Sequence, residues 1–408
     1  MVLFWFFFPF RVPGIPISTE QLVGLYAICY IVWKRIVLPK WVMSYLKWIM
    51  LLLICSMVSL ICSPDPDSQP IKLLLIWVFY PFIAIYIREL ILKIYNKCNL
   101  SICFKWVIVV FVTQAIISFI IFLVPPIKEI IIPFIISERS STIQSVMDFR
   151  LIAFAKPEMQ FANMAVAYGI ATYIVYVQSK IAKMSTTLTA SLILLFSLAG
   201  LLSGRSYAIM LVLMIGIIAI IKSHKRLSAG IIYILKISFI VAVLVSILIA
   251  WLLANGYEET YKWAFEIFIN YQESGSMDMA SADVMKSMYK FPDNPVTWLI
   301  GDGRLANATG GSYMSTDIGY IRYLFCWGLI GSFVFYLSQL SLFYNTFLSV
   351  KSKYVKSLAV FIIIWTFIYL SKEIYNCFCP LCLIIACENL HYSKSLRSNN
   401  LHKVVKNE

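Results

Sequence analysis

Charge is scarce in this chain. Only 13% of its 408 residues are Asp, Glu, Lys or Arg, where a soluble domain carries about 25%. With 61% hydrophobic residues and a mean hydropathy of +0.83, an ordinary water-soluble fold is excluded and a polytopic membrane protein is expected. The apolar runs are continuous rather than alternating, which excludes a β-barrel, so the backbone must be satisfied within helices. Histidine is nearly missing: His224, His391 and His402 are the only three. There is no Walker motif, no Rossmann fingerprint and no H-E-x-x-H, so nothing points to ATP hydrolysis, a nicotinamide cofactor or a zinc protease. No internal repeat is visible, which counts against transporters built from two related halves. Ten cysteines are present, but they form no disulfide framework. Cys377, Cys379, Cys382 and Cys387 cluster in the last apolar segment. A metal site there would lie in a helix interrupted by Pro380 with no histidine near, and small polarizable core residues explain the run as well.

What is there is an all-α pattern of about twelve apolar segments, each near the roughly 20 residues a membrane span needs. They fall at 2–16, 18–36, 42–62, 70–88, 104–124, 158–179, 186–203, 206–222, 230–254, 316–346, 356–371 and 374–391. The first is broken by Pro9, Pro13 and Pro16 and carries Arg11, so it reads as kinked or interfacial. Without a basic stretch before its apolar run, it does not look like a cleaved signal peptide. Basic residues fall on alternate loops: Lys34, Arg35, Lys40 and Lys47; Arg88, Lys93, Lys97 and Lys105; Lys180 and Lys183; Lys222, Lys225 and Arg226; Lys351, Lys353 and Lys356; and the C-terminal tail. The positive-inside rule makes that face, and both termini, cytoplasmic. The net charge of +14 is then membrane orientation and contact with anionic lipid, not a nucleic-acid signature. All three histidines fall on this face, so an external catalytic histidine is not available. The chain reads as one helical domain, 1–408, with two long external loops at 125–157 and 255–315.

The external face holds the candidate chemistry. In RLIAFAKPEMQFA, Arg150 precedes a span, Pro157 suits the first helical turn, and Glu158 and Gln160 follow at the helix N-terminus. Arg150 is placed to pair with a phosphate and Glu158 to act as base; a positioning arginine and a dipole-complementing glutamate are the plainer roles. LSGRS is a tight turn in which Gly204 permits the reversal and Arg205 sits at the apex with no acid in its own turn. An arginine so close to hydrocarbon binds an anion or snorkels. Asp302-Gly303-Arg304 precedes a glycine-rich stretch and reads as anion-binding or as a loop turn. In STDIGYIRYLFCWGLIG, Asp317 and Tyr320 at i and i+3 share a face of the expected helix, with Arg322 two residues on. Asp65-Pro66-Asp67 has the D-x-D spacing of metal-dependent sugar-nucleotide transferases, but a proline-rich turn explains it without metal. The large loop mixes aromatics (Tyr257, Trp263, Tyr289, Trp298) with acids (Glu258, Glu266, Asp302). That mixture suits sugar rings; an amphipathic helix on the membrane surface is the alternative, and the two are compatible.

Taken in order, FFFPFRVPGIPISTEQLVGL, RLIAFAKPEMQFA, LLSGRSYAIM, GDGR and TDIGYIRYLFCWGLIGSFVFY make the chain resemble the bacterial O-antigen polymerase family (Wzy type). The resemblance implies a multi-pass protein of the bacterial inner membrane with a large periplasmic loop. It implies oligosaccharide repeat units on undecaprenyl diphosphate as substrates, membrane lipid as surroundings, and a polysaccharide chain-length regulator among its partners. Related O-antigen ligases usually carry a histidine near the position of Thr316 and Asp317; this chain has none, which favours the polymerase over the ligase. A lipid-linked-oligosaccharide flippase is the other class. It should line a membrane-depth cavity with charge, whereas intramembrane polar residues are few here (Gln114, Asn163, Lys236, Gln339). Displacing a sugar from a lipid diphosphate needs positive charge on the leaving group and a base for the attacking hydroxyl. Arg150, Arg205, Arg304 and Arg322 are the candidates for the first role, with Asp302 and Tyr320 beside them. Asp317, ahead of Glu158, is the candidate base. No cofactor and no metal are expected.

Overall fold

The computed structural model describes residues 1–11, 17–135, 150–156, 160–223, 243, 246–247, 249–251, 253–274, 280–307 and 311–388. The architecture is all-helical; among the described residues there is no strand, only isolated bridges joining Arg11 to Ser18 and Ala306 to Ser312. The helices are α1 (Val2–Phe7), α2 (Thr19–Trp33), α3 (Lys40–Cys62), α4 (Gln69–Tyr95), α5 (Leu100–Leu123), α6 (Pro125–Ile135), α7 (Phe161–Ile181), α8 (Thr186–Ser203), α9 (Ser206–Ser223), α10 (Glu258–Ser274), α11 (Ala280–Ser287), α12 (Pro295–Ile300), α13 (Gly319–Ser349), α14 (Lys353–Tyr369) and α15 (Phe378–Glu388). Five of them, α3, α4, α5, α8 and α13, are long and apolar enough to cross a membrane. They carry large apolar side chains on their outer faces, such as Ile54, Ile61 and Ile116, as lipid-facing helices do. Of the other expected spans, α2 and α14 are shorter, and most of 230–254 lies outside the described residues.

Local signals set the helix ends. Pro39 precedes α3, and Asp67 Oδ1 accepts from the Gln69 N–H at 2.8 Å where α4 begins. Asn96 ends α4 in the left-handed region, and Asn99 Oδ1 accepts from Ile102 N–H at 2.9 Å to start α5. Ser185 caps α8, and Asn294 with Pro295 opens α12. Among the described residues of the first segment the helix covers Val2–Phe7 and stops before Pro9; 12–16 lie outside the described residues. Within the stretch read as a 125–157 loop, α6 forms.

The chain divides into two compact units. Unit 1 comprises Met1–Phe7, Thr19–Trp106 and Lys290–Glu408; unit 2 comprises Phe8–Ser18 and Val107–Tyr289. Unit 1 packs α3, α4, α13 and α15 around buried aromatics. Trp77 stacks on Phe335 with ring centroids 5.4 Å apart and meets Phe378 edge-on at 5.1 Å. Two of the core aromatics also bond through their polar ends: Tyr45 donates to the Trp77 carbonyl at 2.9 Å and Trp327 to Ser56 Oγ at 2.7 Å. Unit 2 centres on α7, α8 and α9, where Tyr168 packs with Phe111 and Phe196. The Tyr207 hydroxyl bonds Thr172 at 2.8 Å and Ser197 at 2.9 Å. Its ring lies where a side chain at position 200 would be, so only glycine fits there.

One expectation fails in an informative way. The segment read as a continuous helix over 316–346 begins at Gly319 and is interrupted at Gly328, where φ is 62° and ψ is −169°. The interruption deprives the Phe325 and Cys326 carbonyls of their normal helical donors. Asp302 N–H at 2.6 Å and Gly303 N–H at 3.1 Å take those places. The Ile300 carbonyl accepts from Ser59 Oγ on α3. Residues 295–306, expected as part of a capping loop, are therefore built into the helix packing of unit 1. Irregular backbone of this kind is tolerated where protein, not lipid, surrounds it.

Candidate functional site

In unit 2 the two isolated arginines converge. The Arg150 guanidinium lies 4.2 Å from the centroid of the Trp263 ring and 5.4 Å from Phe161; that of Arg205 lies 5.2 Å from Trp263. A hydrogen-bonded frame holds Arg150 there. Leu151 N–H donates to the Leu202 carbonyl at the end of α8, at 3.0 Å. The buried Gln160 accepts from Ala153 N–H at 2.9 Å and donates to the carbonyls of Ala153 at 2.9 Å and Ala155 at 2.7 Å. Gln160 thus stitches the segment after Arg150 to the start of α7, a role that its sequence position alone did not reveal. Glu158 lies outside the described residues.

Arg205 sits at the turn between α8 and α9, as expected, but the reason for Gly204 differs. Its backbone is extended, with φ at −172°, so no left-handed turn requires glycine. The requirement is close approach: a Cβ there would come within 3.1 Å of Ala165 Cβ and 3.2 Å of Ala162 Cα. No acid lies in the turn of Arg205 itself, but one reaches it from another element. Its Nη2 is 2.7 Å from Glu266 Oε2, with both side chains about three-quarters buried. Trp263 and Glu266 are three residues apart on α10, on either side of a kink at Phe265, where φ is −111° and ψ is 16°, and that spacing within the large loop was the available signal. Burial, with the nearby Arg205 charge second, lowers the Arg150 pKa to about 10. Two cations, an indole and a carboxylate thus gather in one cluster, an arrangement suited to a multiply charged anion attached to something flat or hydrophobic.

In unit 1 a second cluster is built from the D-x-D turn, the 302–306 segment and the start of α13. Each Asp-x-Asp carboxylate has partners of its own within the protein. Asp65 Oδ2 pairs with Arg304 Nη2 at 2.7 Å. Asp67 Oδ2 accepts from the Leu305 and Ala306 N–H groups at 3.0 and 3.2 Å while its other oxygen starts α4. The motif clamps the 302–306 segment. Among the described residues no group of three or more His, Cys, Asp and Glu assembles as a metal cage. Asp302 accepts from Thr297 Oγ1 at 2.6 Å and from the Tyr313 hydroxyl at 3.1 Å, so it organises the same segment. Arg304 lies 4.9 Å from the centroid of the Tyr313 ring, and Arg322 Nη2 donates to the Leu305 carbonyl at 3.1 Å.

Asp317 and Tyr320 do not share a helix face. Asp317 lies two residues before α13 begins, exposed, with Oδ1 accepting from Ser312 Oγ at 2.6 Å. The Tyr320 hydroxyl instead donates to the Phe367 carbonyl on α14 at 2.6 Å, and its N–H bonds the Leu370 carbonyl at 3.1 Å. Those bonds dock the turn after α14 onto the start of α13. That turn carries Glu373, a carboxylate the sequence reading passed over. Its Oε2 accepts from the Tyr369 hydroxyl at 3.1 Å. Burial pushes its carboxyl up from the usual range, opposed by the Tyr369 bond and by Lys372 and Arg322, and reinforced by Asp317. A single acid between two apolar C-terminal segments was the only sign of it.

Of the polar residues within apolar segments, Gln339 accepts from Cys377 N–H at 2.9 Å and Gln114 donates to Ser118 Oγ at 3.2 Å; both bond within the protein. Lys236 lies outside the described residues. Comparison with family models, with curated proteins and with solved structures returns no match.

Proposed function

We propose that this protein is a membrane glycosyltransferase of O-antigen-polymerase type, which joins oligosaccharide repeat units carried on undecaprenyl diphosphate. In this reading the chain crosses the bacterial inner membrane about twelve times, with both termini cytoplasmic and the 255–315 region periplasmic. The observation that carries the reading is the gathering of Arg150 and Arg205 over Trp263 in unit 2. Two guanidiniums held by a fixed backbone frame match a diphosphate, and the indole face matches a sugar ring or the start of a polyprenyl chain.

The chemistry is a displacement at the anomeric carbon. A hydroxyl of the incoming carrier-linked unit attacks; the new glycosidic C–O bond forms as the sugar–phosphate C–O bond breaks. The lipid diphosphate leaves with the bonding electrons and the hydroxyl proton passes to a base. Arginines disperse charge on the departing diphosphate, and the existing sugar–phosphate bond supplies the driving force, so no nucleotide is consumed. Arg150 and Arg205 are the diphosphate ligands in unit 2, and Arg322 is the corresponding candidate in unit 1. Arg304, paired with Asp65, and Arg205, paired with Glu266, each hold a carboxylate that a diphosphate must share or displace. Asp317 is the candidate base, ahead of Glu158. A chain-length regulator is the expected protein partner.

The test is the lipopolysaccharide of a strain lacking the protein. One repeat unit per core, in place of a ladder, supports a polymerase. Core with no repeat units at all would indicate a ligase or a flippase instead.

A further inference from the structure

Resting on the reading of Arg150 and Arg205 as diphosphate ligands, we infer that Glu266 is a built-in competitor for Arg205, which the substrate's diphosphate displaces and which drives the product's diphosphate off again. These three residues and Trp263 all belong to unit 2. Glu266 Oε2 lies 2.7 Å from Arg205 Nη2, a contact of the kind a phosphate oxygen would make. The Arg205 guanidinium is 5.2 Å from the centroid of the Trp263 ring, and that of Arg150 is 4.2 Å from the same ring. The carboxylate therefore engages one of the two cations that the diphosphate needs. The other acids of α10 are placed differently. Glu258, Glu259 and Glu273 are exposed, and Glu258 pairs with Lys262 at 2.9 Å. Glu266 is the acid of α10 that meets the arginine.

The contact is close enough to compete and open enough to be broken. A carboxylate–guanidinium pair that is three-quarters buried is screened less than a surface pair. About 22% of the Glu266 side chain is nevertheless exposed, so the carboxylate can turn to water by changing rotamer, without α10 moving. Binding exchanges one anion for another on Arg205. The second phosphate is drawn to Arg150, an attraction that a single carboxylate cannot match. After transfer the requirement reverses. The phosphate oxygen of the broken sugar–phosphate bond becomes a terminal oxygen, so the departing lipid diphosphate carries further negative charge. Two guanidiniums hold that species more tightly than they held the substrate. A carboxylate tethered beside them is present at high effective concentration and reclaims Arg205 as the product loosens. Its like charge also repels the extra charge on the product.

The experiment measures the Kd of purified full-length protein in detergent for farnesyl diphosphate, a soluble lipid diphosphate with the head group of the product. Glu266→Gln keeps the shape of the side chain and removes its charge. It should bind farnesyl diphosphate about threefold to tenfold more tightly than wild type. In liposomes making polymer, the Ki of added undecaprenyl diphosphate should fall by a similar factor. A carboxylate that only pins α10 over the arginines gives the opposite sign, because its loss would loosen Trp263 and weaken binding. Glu266→Asp, one methylene shorter, serves if Glu266→Gln does not accumulate, and should bind at least about twofold more tightly than wild type. If wild type binds no farnesyl diphosphate, the diphosphate reading of Arg150 and Arg205 fails and this inference with it. If wild type binds and the Glu266 variant binds no more tightly, or binds more tightly with an unchanged Ki, the diphosphate reading stands and the role of Glu266 is overturned.

Discussion

Gly328→Ala should be among the most damaging single-methyl additions in unit 1. At φ 62° and ψ −169° this residue occupies backbone space essentially reserved for glycine, and forcing alanine into it costs about 1–3 kcal/mol. The added methyl would also overlap the Leu299 carbonyl and the Ile300 nitrogen, which are backbone and cannot swing aside. Relief requires the 299–303 segment to retreat. That retreat would break the bonds from Asp302 N–H to Phe325 and from Gly303 N–H to Cys326, at about 0.5–1.5 kcal/mol each. The combined loss is about 2–6 kcal/mol, divided about equally between the strain and the two bonds. Thermal unfolding of detergent-solubilised protein should show it as a fall in Tm of roughly 5 °C or more. Gly216→Ala is the matched control: it lies within α9 and a Cβ there meets nothing within 4 Å, so Tm should hold or rise with the better helix former. If Gly328→Ala unfolds within about 1 °C of wild type, the interruption of α13 is not what seats the 295–306 segment.

Arg205→Ala should abolish chain extension while the protein still accumulates, and Arg205→Lys should restore only part, since an ammonium cannot reproduce the guanidinium fork; a normal ladder from the alanine variant would remove Arg205 from the site. An alkaline phosphatase fusion near Ser281 should be active and one at Lys403 silent; the opposite pattern would invert the topology. For Glu373 the folded-state affinity for a proton is raised above the unfolded one, so its ionisation destabilises the fold as pH climbs from the ordinary carboxylate range through the raised value. Glu373→Gln should therefore unfold at higher temperature than wild type, by a margin that widens with pH across that window. A margin that is flat or shrinks would show that the carboxylate is not held in a desolvated state.

The spans were legible where an apolar run met a boundary residue with one meaning, as with Pro39 before α3 and Ser185 before α8, whereas α4, read as 70–88, runs on to Tyr95 through Arg88 and Lys93. The lone arginines were legible too, because charge beside hydrocarbon is costly. What escaped was every feature settled by a residue far away in the chain. Gly328 reads like any small residue in a membrane helix until Leu299 is seen against it. The D-x-D turn matched a metal-site pattern, but its carboxylates serve the backbone and side chain of residues 304–306. Arg205 looked unaccompanied because Glu266 belongs to another element. Asp317 was placed on a helix face by assuming that α13 starts at 316; the tyrosine it was paired with bonds α14 instead.

The most direct test of the central claim is reconstitution. Purified protein in liposomes, given undecaprenyl-diphosphate-linked repeat units and no nucleotide sugar, should produce a ladder of lipid-linked chains in the presence of EDTA. Arg150→Ala and Arg205→Ala should each eliminate it. A ladder that needs magnesium or manganese would contradict the arginine-based mechanism, and its absence from wild type under all ionic conditions would contradict the assignment as a polymerase.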